Sequence, residues 1–196
     1  MIILLNGPTS GGKTTLAKAI QHLDERPWLS LGIDSMIDMM PTKYWAGGSK
    51  QKEGFCFTEV NDDDGTDMRI EMGDFGKRLG SAIADIACLL DKKGFNLIID
   101  EVLVSSDSIK NYANKFSNCV VYFISVFCDL KLIEEREILR GDRCVGSARD
   151  QVKRCHLSVK HYDLEIDTSQ LSPFDCAKRV LVYIAGESSP KALKEH

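Results

Sequence analysis

No apolar stretch in this 196-residue sequence approaches 18 residues, and no basic region precedes an apolar one at the amino terminus. Neither a membrane span nor an export signal is therefore expected. Basic charge is also scarce. Lys and Arg number 25 against 29 Asp and Glu, a net charge of −4, which excludes a general nucleic-acid surface because neutralising phosphates takes clustered cations. Small molecules are the expected partners. The seven cysteines contain no C-x-x-C pair and are odd in number, so neither a zinc cage nor a complete disulfide framework is suggested, and a reducing cytoplasmic setting fits best. Four histidines show no H-E-x-x-H spacing. No linker, repeat or low-complexity tract divides the chain, and nothing in it sets an oligomeric state. With 43% hydrophobic and 28% charged residues, it reads as one domain over residues 1–186, with a small lid near 136–150 and a frayed tail at 187–196.

What the sequence does contain is a phosphate-binding signature. Gly7-Pro8-Thr9-Ser10-Gly11-Gly12-Lys13-Thr14 satisfies G-x-x-x-x-G-K-[ST] at every fixed position and follows the apolar run Met1 to Leu5, where a buried strand is expected. Glycines let backbone N–H groups close around a polyphosphate, Lys13 reaches the β/γ-phosphates, and the Thr14 hydroxyl suits Mg²⁺. Residues 7–15, Thr15 included, form the expected ATP site. A helix beginning at Lys13 adds its positive end.

Strands alternating with helices imply a parallel sheet of about five strands covered on both faces, a three-layer α/β fold of the P-loop kinase kind. Strands are expected at 28–33, 95–99, 120–127 and 162–167, with a strand pair at 55–60 and 68–72. Helices are expected at 13–23, 35–40, 74–93, 106–116 and 130–140, the long third one from Phe75, Leu79, Ile83, Ile86 and Leu90. Ser172, Pro173 and Asp175 begin the last helix, which Gly186 ends.

Ligands of such sheets sit beyond the carboxyl ends of the strands. Asp34 ends the second strand and is a candidate general base for an acceptor hydroxyl; alternatively it caps the helix at Ser35. Asp38 shares its face and reads as a solvated helical acid. Asp100 and Glu101 end an apolar strand as the Mg²⁺-holding acid of a P-loop enzyme does, opposite Thr14, with the choice between them open. Arg136, Arg140 and Arg143 recur on one helical face and would close over a transferring phosphoryl group, unless Glu134, Glu135 and Glu137 engage them as surface ion pairs. Met36, Met39, Met40, Tyr44 and Trp45 would line an acceptor pocket or pack in the core. His156 is a secondary candidate.

With those residues in place, the sequence resembles the chloramphenicol phosphotransferase family of P-loop kinases from Met1 to about Thr168. The features that carry the likeness are Asn6-Gly7, Pro27-Trp28-Leu29, Gly32-Ile33-Asp34-Ser35, Met40-Pro41, Ile98-Ile99-Asp100, Glu135-Arg136-Glu137 and Arg140-Gly141-Asp142-Arg143. Gly146, Ala148, Gln151, His156, Tyr162-Asp163 and Glu165-Ile166-Asp167-Thr168 follow. The resemblance implies ATP- and Mg²⁺-dependent transfer of the γ-phosphoryl to an alcohol, with Asp34 as base and the arginines as lid. The acceptor, chloramphenicol-like or another small alcohol, is left open, because residues 42–67 depart most from the family pattern. A nucleoside, nucleotide or sugar kinase of the same fold is one alternative, revealed by turnover of such acceptors. A nucleotide-dependent switch without an acceptor is another, and the sequence has no Asn-Lys-x-Asp segment for guanine.

Overall fold

Ile2, Ile3, Leu4 and Leu5 are all fully buried, which a strand achieves only when helices cover both of its faces. The computed structural model, which describes residues 1–62, 65–141 and 144–196, places that strand, β1 (Ile2–Asn6), at the centre of a sheet. Its partners are β2 (Trp28–Gly32), β5 (Asn96–Glu101), β6 (Val121–Phe127) and β7 (Leu164–Asp167), in the order β2-β5-β1-β6-β7 and all parallel. The register sets Asn6 beside Glu101 and Gly32 beside Asp100, so the carboxyl ends of three strands align along one edge.

Alternation along each strand divides the core in two. On one face Ile2, Leu4, Leu97, Ile99 and Phe123 pack against Ile83 and Ala87 of α3 (Asp74–Lys92) and Ile109 and Phe116 on and just after α4 (Ser106–Lys115). On the other, Ile3, Leu5, Ile98 and Val126 meet Leu16 and Ile20 of α1 (Lys13–Leu23) and Ala177 and Val180 of α7 (Pro173–Gly186). The result is the three-layer α/β architecture of P-loop kinases. Among the described residues, no helix is long and apolar enough to cross a membrane.

Four local expectations are corrected. The second helix, α2, runs Ile33–Asp38 rather than 35–40, so its N-cap position is Gly32 and Asp34 lies inside the first turn. β3 (Phe55–Asp62) and β4 (Gly65–Met72) form a longer antiparallel ribbon than expected, separate from the main sheet. After α5 (Leu130–Arg140), an unexpected helix, α6 (Ser147–Arg154), follows; its buried side is Ser147, Ala148, Asp150 and Gln151, so it has no apolar stripe to announce it. Finally, residues after Gly186 do not fray. Ala192 and Leu193 are buried against the sheet, and the Asp163 carboxylate accepts the N–H groups of Lys191 and Ala192, both at 3.0 Å. Asp163 also accepts the N–H of Phe123, which is why the last strand starts two residues later than Tyr162.

Candidate active site

Between β1 and α1 the chain must turn sharply while staying close to its neighbours. A Cβ at Gly7 would lie 2.3 Å from the Val126 carbonyl oxygen, a separation that only glycine avoids. Gly12 has φ 95° and precedes α1 without any side-chain cap, leaving the helix's first N–H groups open to an anion. Ser10, at φ 57°, is a non-glycine residue in left-handed backbone, the kind of strain found at ligand-binding turns.

Lys13 is buried, 6% exposed, and its Nζ donates to the Pro8 carbonyl at 2.9 Å and lies 3.4 Å from Asp100 Oδ1. The Thr14 hydroxyl donates to Asp100 Oδ2 at 2.5 Å. Lysine, hydroxyl and carboxylate therefore converge on one point above the sheet. The hydroxyl and carboxylate are hard oxygen donors of the kind Mg²⁺ takes, and their direct contact fits a shared cation. Glu101 points elsewhere. Among the described residues its Oε1 is buried without a hydrogen-bond partner, as is the Tyr112 hydroxyl that faces it, and burial pushes the Glu101 carboxyl up to about 8, Tyr112 opposing this and Asp100 adding to it.

One cavity of about 1200 Å³ joins these groups to the rest of the edge. Thr9, Ser10, Gly12, Lys13, Thr14 and Thr15 line it, with Asp34, Asp100, Glu101, Arg136 and Arg140. Trp45, Phe55, Phe57, Ile70 and Met72 give it an apolar wall, Trp45 standing 5.8 Å from Phe55 and 6.0 Å from Phe57, ring to ring. Four expected pocket residues lie outside it, among them Met39, which is 72% exposed. Met36 and Met40 are buried, Met36 in the core under α3, and Tyr44 packs on Phe75 with Lys43 and Lys50 over its ring. The 3-10 turn at Thr42–Tyr44 sends Tyr44 away from the cavity, so that Trp45 faces it instead.

The arginine cluster divides. Arg143 lies outside the described residues. Arg136 donates to Cys128 Sγ and to the Thr168 carbonyl, each at 3.2 Å. Neither Glu134 nor Glu137 engages it: Glu134 pairs with Arg149 at 2.5 Å, and Glu137, 1% exposed, accepts from Gly146 N–H at 2.7 Å and from the Ser147 hydroxyl and Ala148 N–H at 2.9 Å. The glutamate expected on the surface is thus the buried anchor of α6. That helix is fastened in turn to the ribbon, through Arg69 to Asp150 at 2.7 Å and Lys153 to Asp67 at 2.8 Å.

Long-range hydrogen bonds steady the loop. Gln151 Oε1 accepts Thr9 N–H at 2.7 Å, and the Thr168 hydroxyl donates to the Gly11 carbonyl at 2.7 Å. Asn6, fully buried, donates to the Cys155 carbonyl and the Tyr162 oxygen and accepts from Leu103 N–H, each at 2.8 Å. Tyr162 then has its own proton to give to His156 Nδ1 at 2.7 Å. Burial, with Lys13 nearby, holds that imidazole down to about 4, and His156 serves as a neutral prop outside the cavity. None of these polar tethers carries a periodic signal, although Asn6, Gln151, His156, Tyr162 and Thr168 all lie in the segments that carry the family likeness.

The family profile described as chloramphenicol phosphotransferase-like protein matches residues 1–184. The chain belongs to that family. Two relatives from Mycobacterium tuberculosis, strains CDC 1551 / Oshkosh and H37Rv, are each 28% identical over 181 residues, covering 91% of this chain and 80% of their own, and each is named as a proposed O-phosphotransferase. Solved structures with the same fold include the M. tuberculosis APS kinase in complex with AMPPNP and APS, at TM-score 0.64 and 14% identity over 94% of this chain and 96% of that one. The Aquifex aeolicus shikimate kinase matches at TM-score 0.59 and 11% identity, covering 95% and 97%, and a Deinococcus radiodurans tunicamycin resistance protein at 0.59 and 16%, covering 96% and 95%. Family and fold together make this chloramphenicol phosphotransferase-like chain a phosphotransferase of P-loop kinase architecture.

Proposed function

We propose that the chain transfers the γ-phosphoryl group of ATP to a hydroxyl of a small alcohol, with Asp34 as the general base. The observation that carries this reading is the shared cavity, which Lys13 and Thr14 of the loop and Asp34 all line. At about 1200 Å³ it exceeds the roughly 300–1,000 Å³ of a single drug-sized site, room for a nucleotide's phosphates and an acceptor together. The apolar wall around Trp45 suits an acceptor with an aromatic or aliphatic body, chloramphenicol-like in that respect.

In this mechanism, loop N–H groups and Lys13 hold the β- and γ-phosphates, while Asp34 orients the acceptor hydroxyl and takes its proton as the new P–O bond forms. Mg²⁺, held by Thr14 and Asp100, would neutralise charge on the phosphate oxygens. Arg136 and Arg140, with Arg143, act as the lid that meets charge on the transferring group, and the wall of α6 and ribbon excludes water.

Asp34 is not the N-cap of α2, and Asp34→Asn keeps the size of the side chain while removing its charge, which in a first turn contributes about 0.3–1 kcal/mol. Labelled ATP is incubated with a panel of hydroxylated metabolites and antibiotics, the labelled product is identified, and the variant is assayed at saturating acceptor. Transfer is expected to fall about 10²- to 10⁴-fold with nucleotide binding kept. The assignment of Asp34 is falsified if the folded variant turns over within a few-fold of wild type.

A further inference from the structure

Gln151 occupies a position that neither the loop motif nor the arginine segment accounts for. It sits on α6, is 9% exposed, and lines the cavity. Its Oε1 accepts the Thr9 N–H at 2.7 Å, which fixes which way the carboxamide faces, since the opposite orientation would set two donors against each other. The Nε2 group, with two N–H donors, meets no protein acceptor among the described residues. The same Pro8–Thr9 peptide is gripped from its other edge by Lys13 Nζ, on the Pro8 carbonyl at 2.9 Å. Lys13 and Gln151 thus hold one peptide of the loop from its two edges, each with donors left over, and both residues line the cavity.

We propose that Gln151 is a nucleotide-binding residue that reads the γ-phosphate, its carboxamide oxygen clamped on Thr9 and its Nε2–H groups donating to a γ-phosphoryl oxygen. The inference rests on the reading of the chain as an ATP-dependent phosphotransferase. Two donors aimed at a phosphate oxygen are charge-assisted hydrogen bonds, stronger than those between neutral groups. A nucleoside diphosphate lacks the group they serve, so the signature of the site is discrimination between tri- and diphosphate. Because Gln151 is carried by α6, whose amino end is anchored on Glu137, a bound γ-phosphate would also tie the α5–α6 segment to the loop.

The test needs no acceptor. Wild type, Gln151→Glu and Gln151→Met are titrated calorimetrically with ADP and with AMPPNP, both with Mg²⁺, and their thermal unfolding is compared. Glu keeps an oxygen for Thr9 but loses both donors, and Met keeps the volume while losing every polar contact. The ratio of AMPPNP to ADP affinity is expected to fall about tenfold in each variant, and by no less than about threefold, with ADP affinity nearly unchanged. A smaller change in the ratio, parallel weakening of both nucleotides, or tighter AMPPNP binding would each overturn the proposal; the second marks a mere loop tether and the third a plug. If Gln151→Glu does not fold, Gln151→Met decides. Wild type that binds neither nucleotide would instead sink the ATP-dependent reading itself.

Discussion

Glu137 offers the clearest contrast between a surface ion pair and a buried anchor. As an exposed partner of arginine its removal would cost about 0–1 kcal/mol. Buried at 1% exposure, it accepts the Gly146 and Ala148 N–H groups and the Ser147 hydroxyl. In Glu137→Ala the hydroxyl can rotate toward another partner, but two backbone donors at the start of α6 are left unpaired. At about 1–3 kcal/mol each, the cost is about 2–6 kcal/mol. For a domain of this size, 1 kcal/mol moves the melting temperature about 2–4 °C, so a central loss of 3–4 kcal/mol should lower it by roughly 6–16 °C. Glu137→Gln keeps one acceptor oxygen, enough for Ser147 and Ala148, while its amide opposes the Gly146 N–H, and should fall between the two. The assay is thermal unfolding followed by circular dichroism in the absence of nucleotide. A Glu137→Ala protein melting within about 1 °C of wild type would refute the anchor, because that is the outcome of an exposed ion pair.

Lys13→Ala removes the only side-chain cation of the loop, and labelled-ATP transfer should fall to background while the melting temperature changes little; undiminished transfer would sink the site. Arg140→Ala should lower kcat more than AMPPNP affinity, since a lid arginine acts mainly on charge developing in the transition state; equal losses in both would assign it to ground-state binding. Glu101 makes stability depend on pH. Its carboxyl is raised from 4.5 to about 8 by burial, so the unfolded chain ionises first, and stability present below about pH 4.5 is lost progressively as pH rises to about 8. At about 1.36 kcal/mol per pH unit the loss is on the order of 5 kcal/mol, and Glu101→Gln should flatten the urea midpoint across pH 5 to 8; an equally steep variant would place the charge elsewhere.

The parts of this molecule legible in the sequence are those whose physics is local or periodic. β1 is apolar at four successive positions because both faces are covered, the loop obeys a motif written in eight consecutive residues, and α3 repeats its apolar residues at helical spacing. Asp34 and Asp100 could be placed at one edge because parallel strands put their carboxyl ends together, and both line the cavity. What escaped was held by polar contacts over long separations. The helix α6 buries Asp150 and Gln151 instead of an apolar stripe, and Glu137 looked like one of three exposed acids because its partners lie nine to eleven residues on. Met36 and Tyr44 could not be assigned between pocket and core because one apolar side chain suits either equally; Met36 packs in the core, and the backbone turn at Thr42–Tyr44 decides for Tyr44.

The same division separates what this fold shares from what is particular to this chain. The half proposed to handle phosphate, Gly7 to Thr15 with Asp100, is built from one loop and a neighbouring strand, and the proposed chemistry requires little that is not in the motif. The half proposed to face an acceptor draws on Trp45, the ribbon and α6, joined by Arg69 to Asp150 and Lys153 to Asp67 across more than eighty residues. Asp67 and Asp150 are 2% and 3% exposed, so each is a buried charge that would be costly without its cation, and the pairs hold ribbon and helix in one relative position. That position sets where Phe57 and Ile70 stand against the loop. Trp45, Phe55 and Phe57, from the stretch expected on sequence to depart most from the family, line the cavity wall where an acceptor is proposed to rest, and the residues proposed for phosphoryl transfer lie outside that stretch.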